Sequence, residues 1–272
     1  LALHPEEDDD VKMMSGIRLL AWELWLPILI VVVWYFGSAS SKSPYFPPLS
    51  RIWKAFVDNW FGAGFTRDVV PSLTNLAFGL TVALVLGIGA GLLLALFPLA
   101  ADIADPFLQF FRAIPALAVL PALFIVFGTG STGNVAAIAF GAVWPILLNT
   151  LDGIRSIDPS IRLVARSYRI RTPLLVTQVL LPGAMPQITV GIRTSLAIGV
   201  VIMVGSEMYV STAGIGHFVI VAQQTFAIAD MWSGILLLGI IGYVLNVGYG
   251  VIERWLLRWQ PRTHGALAVK GN

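Results

Sequence analysis

The chain has 272 residues, of which 57% are hydrophobic and only 12% charged, with a mean hydropathy of +0.83. Soluble domains average about 25% charged residues, so this composition excludes an ordinary soluble enzyme and points to the membrane class. A net charge of +2 is too small for a nucleic-acid binder, and the lack of cysteine excludes disulfides, thiolate metal sites and thiol nucleophiles.

Residues 1–10 are acidic where a secretory signal needs a basic region, so no cleavable signal is expected. A helix needs roughly 20 apolar residues to cross about 30 Å of hydrocarbon. About six segments meet that test: 19–36, 73–97, 113–127, 135–151, 188–209 and 232–255. The second is the cleanest, and the third is interrupted by Pro115 and Pro121. Between the first two lies a stretch in which Ile52, Trp53, Phe56, Val57 and Trp60 recur at helical spacing, with Arg51, Lys54 and Asp58 on the other side. It is predicted as an interfacial amphipathic helix, set apart by Pro44, Pro47 and Pro48. In the second span Ala83, Gly87, Gly91 and Ala95 form a line of small residues. Such a line marks close helix packing, or alternatively a flat wall along a path.

Lys and Arg set the orientation. With the N-terminus inside, twelve of them fall in inner segments and four in the first outer loop, leaving Arg193 within a span. Both termini are therefore expected in the cytoplasm. The chain divides into a cytoplasmic tail over 1–18, a transmembrane domain over 19–259 and a second cytoplasmic tail over 260–272. The longest inner stretch, 152–187, is basic and punctuated by Pro159, Pro173 and Pro182. Asp158 and Pro159 form a helix start, an acceptor at the cap followed by proline in the first turn. Behind them Ile161, Val164, Ala165 and Tyr168 share one helical face, with Arg162, Arg166 and Arg169 around the other. The residues alone allow a membrane-surface helix held by anionic lipid, or a knob presented to a cytoplasmic protein.

Leu163, Val164 and Ala165, then Arg169, then Val179 and Leu181-Pro182, carry the spacing of the permease signature of ABC importers. That signature is Glu-Ala-Ala, three residues, Gly, nine residues, Ile-x-Leu-Pro. Leu163 stands at the Glu position and Arg169 at the Gly position. The stretches FFRAIPALAVLPALFIVFGTG, VLLPGAMPQITVGIRTSLAIG and GIGHFVIVAQQ also resemble permeases of the sulfonate, taurine, nitrate and bicarbonate importers. The resemblance runs from Pro47 to Trp259. It implies an all-α type I importer permease of the bacterial inner membrane, with a cytoplasmic coupling helix that seats on an ABC ATPase subunit. It further implies a substrate-binding protein outside, a second copy of the permease (a homodimer) and surrounding membrane lipid. On that likeness Leu163, Val164, Ala165, Arg166, Tyr168 and Arg169 make the ATPase contact. Arginine at the glycine position implies a changed backbone or an added ion pair.

Candidates for the translocation path are Glu207, Ser206, Met203 and Trp144. An acid within a span is costly and functional by default, although Glu207 near an outer rim also suits a structural role. His4, His217 and His264 are scattered and form no metal pattern. No Gly-Lys pair occurs, so the phosphate loop is absent; no cofactor is expected here, and ATP and Mg belong to the partner ATPase. A secondary transporter or channel, the alternative reading, predicts paired intramembrane charges or two similar halves with broken helices. An intramembrane enzyme predicts a catalytic set that the sequence lacks.

Overall fold

The computed structural model describes residues 25–26, 29–39, 41, 43 and 45–259, together with the backbone but not the side chains of Arg162 and Arg166. The predicted tails, 1–18 and 260–272, and residues 19–24 and 27–28 of the first predicted span lie outside the described residues. The described part is built from helices: α1 (Leu29–Ser38), α2 (Leu49–Trp60), α3 (Phe65–Leu96), α4 (Pro98–Ala113), α5 (Leu120–Phe127), α6 (Ser131–Arg155), α7 (Pro159–Ser167), α8 (Thr172–Val210), α9 (Ile215–Gln224) and α10 (Ile228–Leu256).

Four of these, α3, α6, α8 and α10, are long and apolar enough to cross a membrane. The predicted third span, 113–127, begins at a break: α4 ends at Ala113, and Ala116–Phe127 leaves at 87° to it. Proline explains both breaks, because the residue before it is pushed out of the helical region. Phe97, before Pro98, has φ −120° and ψ 84°, and Ile114, before Pro115, has φ −72° and ψ 124°. Counted as one bent span, the pair brings the number to five among the described residues.

The core is the packing of α6 between α3 and α8. Without water to drive apolar surfaces together, helices in lipid associate by close approach of small residues and by interhelical hydrogen bonds. Both devices are present. A Cβ on Gly87 would lie 2.8 Å from the Cβ of Ile146, and one on Gly91 would lie 2.7 Å from Leu147 O. The line Ala83, Gly87, Gly91 and Ala95 is buried and serves packing within the subunit. On the other side of α6, Ser195 Oγ donates to Ala142 O at 2.6 Å, and Gln187 Nε2 donates to Asn149 Oδ1 at 2.8 Å. Arg193, stranded within a span in the sequence, forms an ion pair with Glu253 of α10.

The amphipathic helix α2 buries Ile52, Phe56 and Trp60 and leaves Trp53 and Val57 exposed. It is tied to the start of α10 by Asn59 Nδ2 donating to Asp230 Oδ1 at 2.8 Å, and by Trp60 Nε1 donating to Ser233 Oγ at 3.3 Å.

Candidate functional site

At one end of the bundle α7 stands between α6 and α8. Its start is built as the sequence predicts: Asp158 Oδ1 accepts the N–H of Ser160 at 2.8 Å, and Asp158 O accepts that of Ile161. That backbone hydrogen bond holds the Asp158 carboxyl below its ordinary value. The helix ends with Ile170 N donating to Ala165 O at 2.9 Å across Arg169, which has φ +51°. This is the Schellman stop, whose left-handed residue is usually glycine. Arginine in this left-handed position costs roughly 1–2 kcal/mol. Arg169 has no carboxylate partner among the described residues.

Between these two caps, Ala165 is buried while Leu163, Val164 and Tyr168 are exposed, Tyr168 by 79%. So α7 is a rigid helix anchored through its small residue and presenting apolar side chains outward. The side chain of Arg166 lies outside the described residues. After α7, the chain re-enters the bundle through a π turn at Val176–Leu180, closed by Leu181 N donating to Val176 O. Pro182 follows at once; it has no N–H for the ladder, and the widened turn absorbs that loss.

At the opposite end Glu207, Asp68 and Ser72 converge on the start of α9. The first N–H groups of a helix have no partners within it and carry its positive dipole end. Here Gly214 N donates to Asp68 Oδ1 (3.2 Å), Ile215 N to Ser72 Oγ (2.9 Å) and Gly216 N to Glu207 Oε2 (2.9 Å). Glu207 is 1% exposed and its Oε1 has no hydrogen-bond partner; Ser72 gives its one proton to Asp68 O. Arg67 pairs with Asp68 from the rim at 2.8 Å. The acid within the span thus caps a neighbouring helix. Ser206 is buried and donates to Met203 O, and Met203 lies in the core with Ile202 and Ile138.

Trp144 is placed differently. It lines a groove of about 400 Å³ together with Arg112, Ile114, Phe140 and Leu148, at the break between α4 and α5. Phe111 stacks on its ring at 5.9 Å, and its Nε1–H is buried without an acceptor. An unpaired buried donor of this kind costs roughly 1–3 kcal/mol. Sequence reading missed Asp68 and Ser72 as caps and Arg112 as a groove residue. The signal for the first two was Gly214-Ile215-Gly216 opening an apolar helix with no capping side chain of its own. Arg112 counted only toward orientation.

Residues 83–260 match the family described as "Binding-protein-dependent transport system inner membrane component". The chain belongs to this family. The permease is 29% identical over 240 residues to the taurine transport system permease protein of Escherichia coli K12, covering 86% of this chain and 87% of that one. It is 28% identical over 259 residues to the putative aliphatic sulfonates transport permease protein of Bacillus subtilis 168, covering 94% of each. The bicarbonate transport system permease protein of Synechococcus elongatus is 29% identical over 239 residues, covering 84% of this chain and 86% of that one. In fold, the permease is similar to a chain of the inward-facing MetNI methionine ABC transporter. The TM-score is 0.59 at 20% identity, over 71% of this chain and 95% of that one. The permease is accordingly a transporter subunit of the inner membrane and not an enzyme, in the type I permease fold.

Proposed function

We propose that the permease forms the path of an ATP-driven importer for a small anion of the sulfonate, taurine, nitrate or bicarbonate class, delivered by a binding protein. Two copies enclose the path, and both termini face the cytoplasm. The observation that carries this reading is α7: a doubly capped helix with Leu163, Val164 and Tyr168 exposed and nothing among the described residues to cover them. An apolar knob in a basic segment suits a groove on an acidic partner, because shape and charge then fix one register. Nucleotide-driven closure of the ATPases moves the two α7 helices, and through α6 and α8 the walls of the path. ATP and Mg bind on the ATPase. The relatives named for taurine, aliphatic sulfonates and bicarbonate support an anionic substrate.

The test is co-purification with the ATPase and binding-protein subunits, followed by ATPase assay in lipid. Replacing Tyr168 and Arg169 together with Ala is expected to abolish hydrolysis stimulated by the binding protein while membrane insertion is kept. Solute uptake by the permease alone, with no ATPase bound, overturns the reading in favour of a secondary transporter.

A further inference from the structure

We propose that the groove at the α4–α5 break is an anion subsite on the path, in which Arg112 and the indole N–H of Trp144 hold a sulfonate or a similar small oxyanion. The proposal rests on the anion-importer reading above and assigns residues that reading leaves open.

Four observations meet at this groove. The first is the break itself. Broken helices that line a cavity are a recurring feature of transporter sites. Here Ile114 is extended, and it stands on the groove wall. The second is charge. Arg67 and Arg193 are each paired with a carboxylate, whereas Arg112 has no such partner among the described residues, and no Asp or Glu lines the groove. An arginine fork offers several donors in a fixed plane and suits an oxyanion. The third is the Trp144 Nε1–H, buried and lacking an acceptor, on a ring held between Phe111 and Phe140. Buried polar groups are as a rule hydrogen-bonded, so a donor left over calls for a bound water or ion. The fourth is size: about 400 Å³ falls in the range of small-ligand sites and admits a molecule of a few heavy atoms.

The chemistry selects among solutes. A cation meets Arg112 and is repelled. A neutral solute of the same shape leaves the guanidinium without a counter-charge. A sulfonate has three oxygens, enough to accept from Arg112 and from Trp144 at once. One cation and one neutral donor also make a weak grip, which a path requires because the solute must leave again.

The test uses the permease assembled with its ATPase and binding-protein subunits. Tryptophan carries ¹⁵N in the indole, and methanesulfonate is titrated in nanodiscs while taurine uptake is measured in proteoliposomes. The Trp144 resonance, assigned by its loss in Trp144→Phe, is expected to shift saturably. Apparent affinity is expected to fall roughly tenfold or more in Arg112→Gln, the loss of one charge-assisted hydrogen bond, and to be partly restored in Arg112→Lys. The restoration separates an anion contact from a packing role. A Trp144 resonance unmoved by methanesulfonate, or moved equally in Arg112→Gln, overturns the subsite. If the wild-type complex then still imports taurine, nitrate or bicarbonate, the importer reading stands without this subsite. If it imports none of these and carries only a neutral or cationic solute, both fall.

Discussion

Arg169 shows how a side chain can depart from a motif while the helix still makes its stop. Arg169 stands at the motif's glycine position and holds φ +51°, with the Schellman bond from Ile170 N to Ala165 O intact. Arg169→Gly is expected to raise stability by about 1 kcal/mol, read as the unfolding midpoint in detergent, because the left-handed penalty is removed. Asp158 acts at the other end of the same helix. Its carboxyl titrates below the usual range because the charged form accepts Ser160 N. The helix start is therefore fully supported at pH above the unfolded value, near 4, and loses that support as pH falls through the lower folded value. Hydrogen exchange at the Ser160 amide is expected to speed up in acid in the wild type. In Asp158→Asn, which caps without ionising, it is expected to be insensitive to pH apart from the intrinsic exchange rate. Glu207 is the third case. Glu207→Ala leaves the buried Gly216 N–H without its acceptor and is expected to cost roughly 1–3 kcal/mol, while Glu207→Gln keeps an oxygen there and costs less. Thermal unfolding of both variants in lipid checks the order.

At the scale of helices, the spacing between α3 and α6 is set by glycine. Gly87 and Gly89 lie two residues apart on α3, yet a Cβ meets Ile146 at 2.8 Å from the first and nothing within 4 Å from the second. Ile146 is β-branched and buried, so it has little freedom to yield. Gly87→Ala is expected to destabilise the permease by about 1–3 kcal/mol through overpacking. Gly89→Ala is expected to be neutral or slightly stabilising, since alanine is the better helix former. Paired melts of the two variants check the contrast; equal effects mean the α3–α6 contact is looser than described. The small-residue line was legible in the sequence because its four-residue period is the period of one helix face. Which helix it met was not, since Ile138, Ile146 and Thr150 are some fifty to sixty residues away in the chain.

The molecule places its two capped helix starts at opposite ends, α7 at one and α9 at the other. Because the chain has no cysteine, a single introduced thiol reports the side on which it stands. Tyr168→Cys is expected to react with an impermeant maleimide only from the cytoplasmic side, and Thr225→Cys, beyond α9, only from outside. The reverse pattern inverts the orientation drawn from the basic residues.

Periodicity and composition by themselves determined the membrane class, the long spans, the amphipathic α2 and the capped α7. Each of these rests on residues within a turn or two of one another, and apolar length and cap chemistry are local quantities. Tertiary structure alone decided what Glu207, Arg193 and Arg112 do. A charge is governed by whatever stands within a few ångströms of it, which local sequence does not reveal. For Glu207 that is the N-terminus of α9, for Arg193 it is Glu253, and for Arg112 it is a groove with no carboxylate on its wall. The break of the third predicted span lies between the two cases. Pro115 announced it, but not the 87° angle at which Ala116–Phe127 leaves α4.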